Sequence, residues 1–317
     1  MSVRTATAWA PASIGNVGVG FDLLGLAIEG VGDTVEVVQR EQAGVQLIEI
    51  RGDSIACDAG MLACDAAANT AGIAASAVWE AAGRKDGLAL TLTKGAPLGS
   101  GMGSSAASAV AGAVAANALL ATPLPQAELL DCALRGEAFA SKAMHADNVA
   151  PSLLGGLVLC PVRQLPACRT LPVPEGLVSV LVHPHLRIDT AHSRAALPTS
   201  VPLPDAVEQM GLIAAFVHAC HAQDVEWFGS ALQDVLIEPH RQASIAGFQT
   251  VKSAAIDTGA LACSISGSGP SVFAIARRQD AEQIMRAMQA AFADQSIESD
   301  AWVSALNAPG AQVVVRA

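Results

Sequence analysis

Hydrophobic and polar positions recur along this chain with two different periods. Leu88, Leu90 and Leu92 occupy every second position between Ala and Thr, the spacing of a half-buried strand. Leu129, Leu130, Ala133, Leu134 and Ala138 recur at three and four, which is one face of a helix over 126–142. Read through in this way, the pattern predicts strands over 3–10, 33–38, 45–50, 88–92, 157–162, 178–182, 260–265, 272–276, 301–306 and 313–316. It predicts helices over 69–82, 104–120, 126–142, 205–223, 224–236, a segment reaching 258, and 281–293. The strands at 33–38 and 45–50 are expected to be joined by a turn at Ala43-Gly44. Gly83 stops the first helix, and Pro123 and Pro125 end the second. Strands and helices mix without strict alternation, which predicts an α+β fold rather than a doubly wound parallel sheet. The proline-rich run 161–174 is the natural boundary, giving domains at 1–160 and 161–317 that meet at a cleft.

Composition sharpens this picture. The chain has 317 residues, 52% of them hydrophobic, enough for a substantial core. Aromatic residues are 3% and Tyr is absent, so the core must be filled by small aliphatics and its helices must approach closely. A net charge of −11 argues against nucleic acid or an anionic membrane as partner. The seven cysteines are scattered with no Cys-x-x-Cys pair, which gives zinc and thiol-redox chemistry little support and fits a reducing, cytoplasmic compartment. His218, Cys220 and His221 lie close together on an Ala-rich helix, where packing is a better reading than metal binding. The N-terminus shows no secretory pattern, and no run is long and apolar enough to span a bilayer.

The strongest chemical candidate is Pro97-Leu98-Gly99-Ser100-Gly101-Met102-Gly103-Ser104-Ser105-Ala106-Ala107. Glycine permits positive φ and close backbone approach. The helix that follows opens with unpartnered N–H groups and a dipole that favours negative charge. A glycine-rich loop feeding a helix N-terminus is a phosphate site by construction. It is neither a Walker A loop, since Ser104 follows Gly103 where Lys is required, nor a dinucleotide fingerprint, whose third Gly would fall at Ser104. On its residues alone it is either a phosphate cradle or a plain Gly/Ser loop. Asn16 and Asp22 are the polar groups of a second Gly-rich turn over 10–25; they form an Asx-type turn or hold a cationic group. Glu137 borders the buried face of its helix, as a rim charge or a metal ligand. His145, Asp147, Asn148 and Ser152 cluster before Gly155-Gly156 in what is expected to be a loop, and Arg194 falls in a short helix-like turn. A third Gly-rich turn is Ser266-Gly267-Ser268-Gly269-Pro270-Ser271.

Three such turns in this order resemble the GHMP kinases. The family's second motif, Pro-x-x-x-Gly-Leu-Gly-Ser-Ser-Ala-Ala, is matched by 97–107 with Met102 for Leu, and its third by Ser266-Gly267-Ser268-Gly269-Pro270. The likeness runs nearly end to end and is strongest to the homoserine-phosphorylating branch. The stretches that carry it are Ala10-Pro11-Ala12-Ser13, Gly20-Phe21-Asp22, and His145-x-Asp147-Asn148-Val149-Ala150-Pro151-Ser152-Leu153-Leu154-Gly155-Gly156. One departure is Gly15 where Ala is usual, which loosens the turn and keeps Asn16.

The resemblance implies an N-terminal domain like ribosomal protein S5 and a ferredoxin-like C-terminal domain. It also implies transfer of a phosphoryl group from ATP to a small alcohol, with Mg²⁺. Residues 97–107 would cradle the ATP phosphates, and Ser105 with Glu137 would hold Mg²⁺, with Ser104 as the other candidate serine. Asn69 and Lys94 would help the nucleotide. Asn16, Asp22, His145 and Asn148 would surround the amino-alcohol end of L-homoserine, Arg194 and Arg241 its carboxylate, and Gly267 would admit it closely. Asn148 would orient the hydroxyl with no dedicated side-chain base, Asp147 being the alternative base. A mevalonate-type kinase is the nearest rival, and a homodimer is the default assembly.

Overall fold

The computed structural model describes residues 4–52, 62, 64–141, 146–188 and 190–316. The N-terminal half is built on β1 (Thr5–Gly15), β2 (Leu24–Arg40), β3 (Gly44–Gly52) and β4 (Gly87–Lys94). β1 does not stop at residue 10. It continues antiparallel to β2 down to the pair Gly15↔Gly25, after a shift of register between Pro11 and Ser13. The second Gly-rich turn is thus confined to 16–23, and the strand expected at 33–38 is the far end of a 17-residue strand. The turn expected at Ala43-Gly44 does join β2 to β3, but the two strands do not pair: β4 inserts between them, antiparallel to the first and parallel to the second. The reason is burial. Leu88, Leu90 and Leu92 are fully enclosed, which takes β4 to the middle, while β3 is mostly exposed and takes the edge.

α1 (Thr70–Ala81) and α2 (Ser104–Ala118) pack on one face of this sheet, and α3 (Gln126–Ser141) packs on both of them. Every residue of α2 from Ala106 to Ala118 is buried, which is what a helix with no polar face requires. The small residues let the helices approach as the composition predicts. A Cβ at Gly112 would lie 2.5 Å from Ala71 O of α1, and one at Gly136 2.5 Å from Thr70 O. α4 (Ala146–Leu154) stands where a polar loop is expected, with Pro151 inside it. β5 (Leu157–Leu159) then pairs with β2 and with β6 (Arg169–Leu171).

The remaining half begins with β7 (Leu177–Pro184) and α5 (Thr190–Ala195). It continues through α6 (Leu203–Ala222), α7 (Val225–Ala231), α8 (Glu238–Arg241) and α9 (Phe248–Asp257) to β8 (Ala262–Ile265) and β9 (Val272–Arg277). α10 (Ala281–Ala293) and β10 (Ser299–Ala305) complete a second sheet in the order β10-β7-β9-β8. Numbered along the chain that order is 4-1-3-2, all antiparallel, with helices after the first and third strands: the ferredoxin-like β-α-β-β-α-β arrangement. β11 (Gln312–Arg316) then returns to pair with β1. A division at 160/161 therefore separates the two sheets except for β6 and β11, which belong to the first.

One apolar cluster joins the halves. Ile14, Leu24 and Leu26 of the first sheet pack with Leu181, Phe273 and Ile275 of the second and with Phe216 and Phe228 from α6 and α7. α9 and α10 cover the opposite face of the second sheet through Phe248, Ile284, Met288 and Phe292. Among the described residues no helix is long and apolar enough to cross a membrane.

The two helical glycines in different settings give a test. Gly112→Ala overpacks the α1–α2 contact and is expected to lower stability by about 1–3 kcal/mol. Gly211→Ala meets nothing within 4 Å on exposed α6 and is expected to raise it by about 0.5–1 kcal/mol through helix propensity. Urea denaturation of the two variants beside the parent chain reads both signs.

Candidate active site

The three Gly-rich turns come together on one side of the junction between the halves, around an open cleft. Its floor is the turn ahead of α2. Gly99, Gly101 and Gly103 have φ of 63°, 76° and 62°. Cβ atoms would not fit there: at Gly101 one would lie 2.7 Å from Gly269 O, and at Gly103 2.9 Å from Asn148 Oδ1. Gly103 is the N-cap of α2 and provides no side-chain cap. The first amides of α2 therefore remain as donors for an anion at residues that line the cleft.

This uncapped turn is held from below. Lys94 Nζ donates to Asp33 Oδ2, to Ser104 O and Oγ at 2.9 and 2.7 Å, and to Ser108 Oγ at 3.0 Å. Asp33 also accepts from Ser108 Oγ at 2.6 Å and from the amides of Gly95 and Ala96 at 3.0 and 3.1 Å. Ser104 Oγ donates to Ala96 O at 2.8 Å. Lys94 is thus a buried strut, and Asn69 caps α1 by accepting from Ala71 N at 3.0 Å. Neither is among the residues that line the cleft, and both side chains have structural partners.

Of the segment 97–107, Leu98, Gly99, Ser100, Gly101, Gly103, Ser104 and Ser105 line the cleft. Pro97, Met102, Ala106 and Ala107 do not: Met102 is buried in the junction core, Ala106 lies in the core under the first sheet, and Pro97 O accepts Ser100 Oγ at 2.7 Å. Glu137 enters from α3, nearly buried.

The opposite wall is tied to this floor by backbone. Ser13 N donates to Met102 O at 3.0 Å, Gly267 N to Gly15 O at 3.1 Å and Ser271 N to Ser100 O at 3.1 Å, while Ser266 Oγ donates to Gly101 O at 2.7 Å. Asn16, at φ 65°, is the clasp. Its amide N–H donates to Asp147 Oδ2 at 3.2 Å, its Nδ2 to Gly267 O at 3.0 Å, and its Oδ1 accepts Asp22 N at 3.0 Å. Asn148 Oδ1 accepts Ser13 Oγ at 3.0 Å, which leaves Nδ2, a donor only, as its remaining polar group. Gly15 has a positive reason to lack a side chain: a Cβ would stand 2.8 Å from both Asn148 Nδ2 and Asp147 Oδ2.

Two guanidiniums close the cleft. Arg194 of α5 donates from Nη2 to both oxygens of Asp22 at 2.7 and 2.9 Å. Arg241 ends α8 and donates from Nη1 to Gly267 O at 2.8 Å. α8 is itself pinned by Asp234, whose carboxylate accepts from the amides of Leu236, Ile237 and Glu238 at 2.9, 2.8 and 3.0 Å. Burial first, and then the Arg194 charge, draws the Arg241 guanidinium below its ordinary pKa. Asn16, Asp22, Glu137, Asn148, Arg194, Arg241 and Gly267 therefore converge on one cavity, and His145 lies outside the described residues. Sequence reasoning missed Phe21 and Ser268, which also line it. Phe21 carries no charge or hydrogen-bonding group to draw notice, and its only signal was its place between Gly20 and Asp22.

An anion cradle facing an acid and two guanidiniums, between an α/β layer and a ferredoxin-like half, defines a kinase of small charged alcohols. Residues 69–156 match the GHMP kinases N terminal domain and residues 216–294 the GHMP kinases C terminal domain. The chain belongs to the GHMP kinase family. It is 44% identical to a homoserine kinase of Xanthomonas campestris pv. campestris over 313 residues, 98% of this chain and 95% of that one. It is 40% identical to a homoserine kinase of Chlorobaculum tepidum over 325 aligned positions, covering 98% and 99% of the two chains. The crystal structure of homoserine kinase from Cytophaga hutchinsonii superposes with a TM-score of 0.92 at 41% identity, covering 98% and 97%. Within the family its place is with the homoserine kinases.

One support beneath the floor titrates. His183 of β7 is buried, with Nδ1 3.1 Å from Ser271 Oγ, and burial ahead of the His185 charge pushes its pKa down to about 4. The unfolded chain, with an ordinary histidine near 6.5, takes up this proton first as pH falls. Stability from this group is therefore complete above about pH 6.5 and declines until the folded-state pKa near 4 is passed. His183→Gln is expected to flatten that decline, read as urea midpoints of parent and variant between neutral pH and the acid limit.

Proposed function

We infer that this chain transfers the γ-phosphoryl group of ATP to the side-chain hydroxyl of L-homoserine, giving O-phospho-L-homoserine for threonine biosynthesis. The observation that carries this reading is the pairing, in one cleft, of an uncapped helix start with a carboxylate and two guanidiniums. The amides of 99–105 suit the ATP phosphates. Asp22 suits the α-amino group, and Arg194 with Arg241 suits the carboxylate, which a planar guanidinium meets with paired hydrogen bonds. Asp22 and Arg194 hold each other, and a zwitterion brings one charge for each, so exchange keeps the cleft balanced. Mevalonate has no amine to match Asp22.

Ser105 and Glu137 offer hydroxyl and carboxylate oxygen, the donor set of a hard divalent cation, and we assign Mg²⁺ to them. Ser104 is the weaker candidate because its hydroxyl is already engaged with Ala96 O and Lys94. Bound there, Mg²⁺ supplies positive charge against the phosphate oxygens. The chain's own work is positioning. The homoserine oxygen forms its bond to the γ-phosphorus as the bond to the ADP oxygen breaks, in a transition state that needs alignment and charge stabilisation more than covalent help. Asn148 Nδ2 can donate to the acceptor oxygen but cannot take its proton, which leaves with the phosphoryl oxygens or to water. Cys64, Cys132, Cys160, Cys168, Cys220 and Cys263 are free thiols, which supports a reducing cytoplasmic location.

A coupled assay of ADP release with L-homoserine and Mg²⁺-ATP tests the reaction directly; no turnover with homoserine refutes it. Glu137→Gln is expected to lower kcat/KM by at least about tenfold, roughly 1.4 kcal/mol, with partial recovery at high Mg²⁺. Asp147→Asn separates the two base assignments. With no side-chain base it keeps kcat within about tenfold of the parent, whereas loss of the 10²–10⁴-fold range of general base catalysis, roughly, would make Asp147 the base.

A further inference from the structure

Among the described residues Phe21 is the one aromatic ring that lines the cleft, and both guanidiniums rest on it. The Arg194 Cζ lies 5.3 Å from its ring centroid, and the Arg241 Cζ also lies 5.3 Å away. Each distance is within reach of the attraction between a cation and the negative face of a ring. The two arginines reach this ring from different helices, α5 and α8, so nothing local in sequence fixes their separation. Their like charges oppose one another, and after burial this opposition is the second cause that lowers the pKa of Arg241. A carboxylate in their place of contact would relieve that repulsion only after it had bound.

We propose that Phe21 is a positioning residue for substrate recognition: its ring sets the spacing of Arg194 and Arg241 and so selects ligands that carry a carboxylate. The inference rests on the homoserine reading above. An aromatic face attracts the flat cations without taking a hydrogen bond from the N–H donors at their edges. A polar side chain here would compete for those donors, and an aliphatic one would fill the space without attracting either charge. The backbone makes the ring's place secure. Asp22, the next residue, is held at φ 55° by its N–H to Asn16 Oδ1, and Gly20 N donates to Asn16 O at 2.9 Å. The same short turn thus delivers the amine-facing acid and the arginine-spacing ring together.

The test is a kinetic comparison of Phe21→Leu and Phe21→Trp with the parent chain, with thermal unfolding to show that each variant folds. Phe21→Leu is expected to raise KM for L-homoserine about tenfold, as loss of a partly desolvated cation–π contact to two cations implies. KM for ATP should stay within about twofold, and Phe21→Trp, which keeps a π face, should restore homoserine binding to within about threefold. Calorimetric titration with 4-hydroxybutanoate, a carboxylate without an amine, gives a second reading that needs no catalysis: it should bind more weakly to Phe21→Leu than to the parent or to Phe21→Trp. Equal loss for homoserine and ATP, or an unchanged homoserine KM with unchanged 4-hydroxybutanoate binding in folded Phe21→Leu, overturns the proposal. Absence of homoserine turnover in the parent chain would remove the functional reading, and the carboxylate titration would then decide the role of Phe21 by itself.

Discussion

Asp33 and Lys94 share a fully buried ion pair directly under the first turn of α2, and the placing of that turn at the floor of the cleft follows from it. Burying two charges is costly unless their remaining hydrogen bonds are met. Here they are met by the parts that must be held: Ser104 and Ser108 of α2 and the amides of Gly95 and Ala96. The usual way to fix a helix start is a capping side chain at its N-terminus. That solution would put an oxygen against the amides proposed to hold the ATP phosphates. Supporting the turn from inside the core leaves the outward amides to a ligand while still defining their direction.

The same economy shapes the turns around it. Gly101 packs against the carbonyls of Ser266 and Gly269, and Gly103 against Ser13 and Asn148, at separations no Cβ allows. Main-chain hydrogen bonds then link the floor to β1 and to the turn between β8 and β9, so the two halves share one site instead of flanking it. Asn16 carries this further. Both ends of its amide and its backbone N–H are engaged with Asp22, Gly267 and Asp147, segments from three distant parts of the chain. It organises the groups that would meet a substrate more than it meets one.

Local pattern made much of the fold legible. The boundaries of α10 and the strand period of β4 depend on neighbours in sequence, and the structure has both where the pattern puts them. What failed depended on partners far away. The turn joining β2 to β3 is where the pattern puts it, but a turn between two strands does not reveal that a third, more apolar strand enters between them. α4 was hidden by polar residues and by Pro151, but its helix is stabilised by contacts with β1, β2 and α2 that no local window contains. Within the Pro-rich run 161–174, expected as the domain boundary, residues 169–171 form a strand that the local pattern does not show, because β5 offers a free edge.

The site was legible for a different reason: charged and amide side chains announce chemistry in a chain with 15% charged residues. That signal cannot rank them. Lys94 and Arg241 are both buried cations, yet one is fully matched by Asp33 and three hydroxyl or carbonyl oxygens, while the other keeps a buried Nε with no partner among the described residues. A cation whose donors are all satisfied by protein has nothing left with which to recognise a ligand. One whose burial leaves a donor over, close to a second guanidinium and open to a cleft, is held in an unfavourable electrostatic state that an entering anion relieves. Composition gives the two residues equal standing; the difference between a strut and a recognition group lies in which hydrogen bonds the fold completes and which it leaves for a substrate.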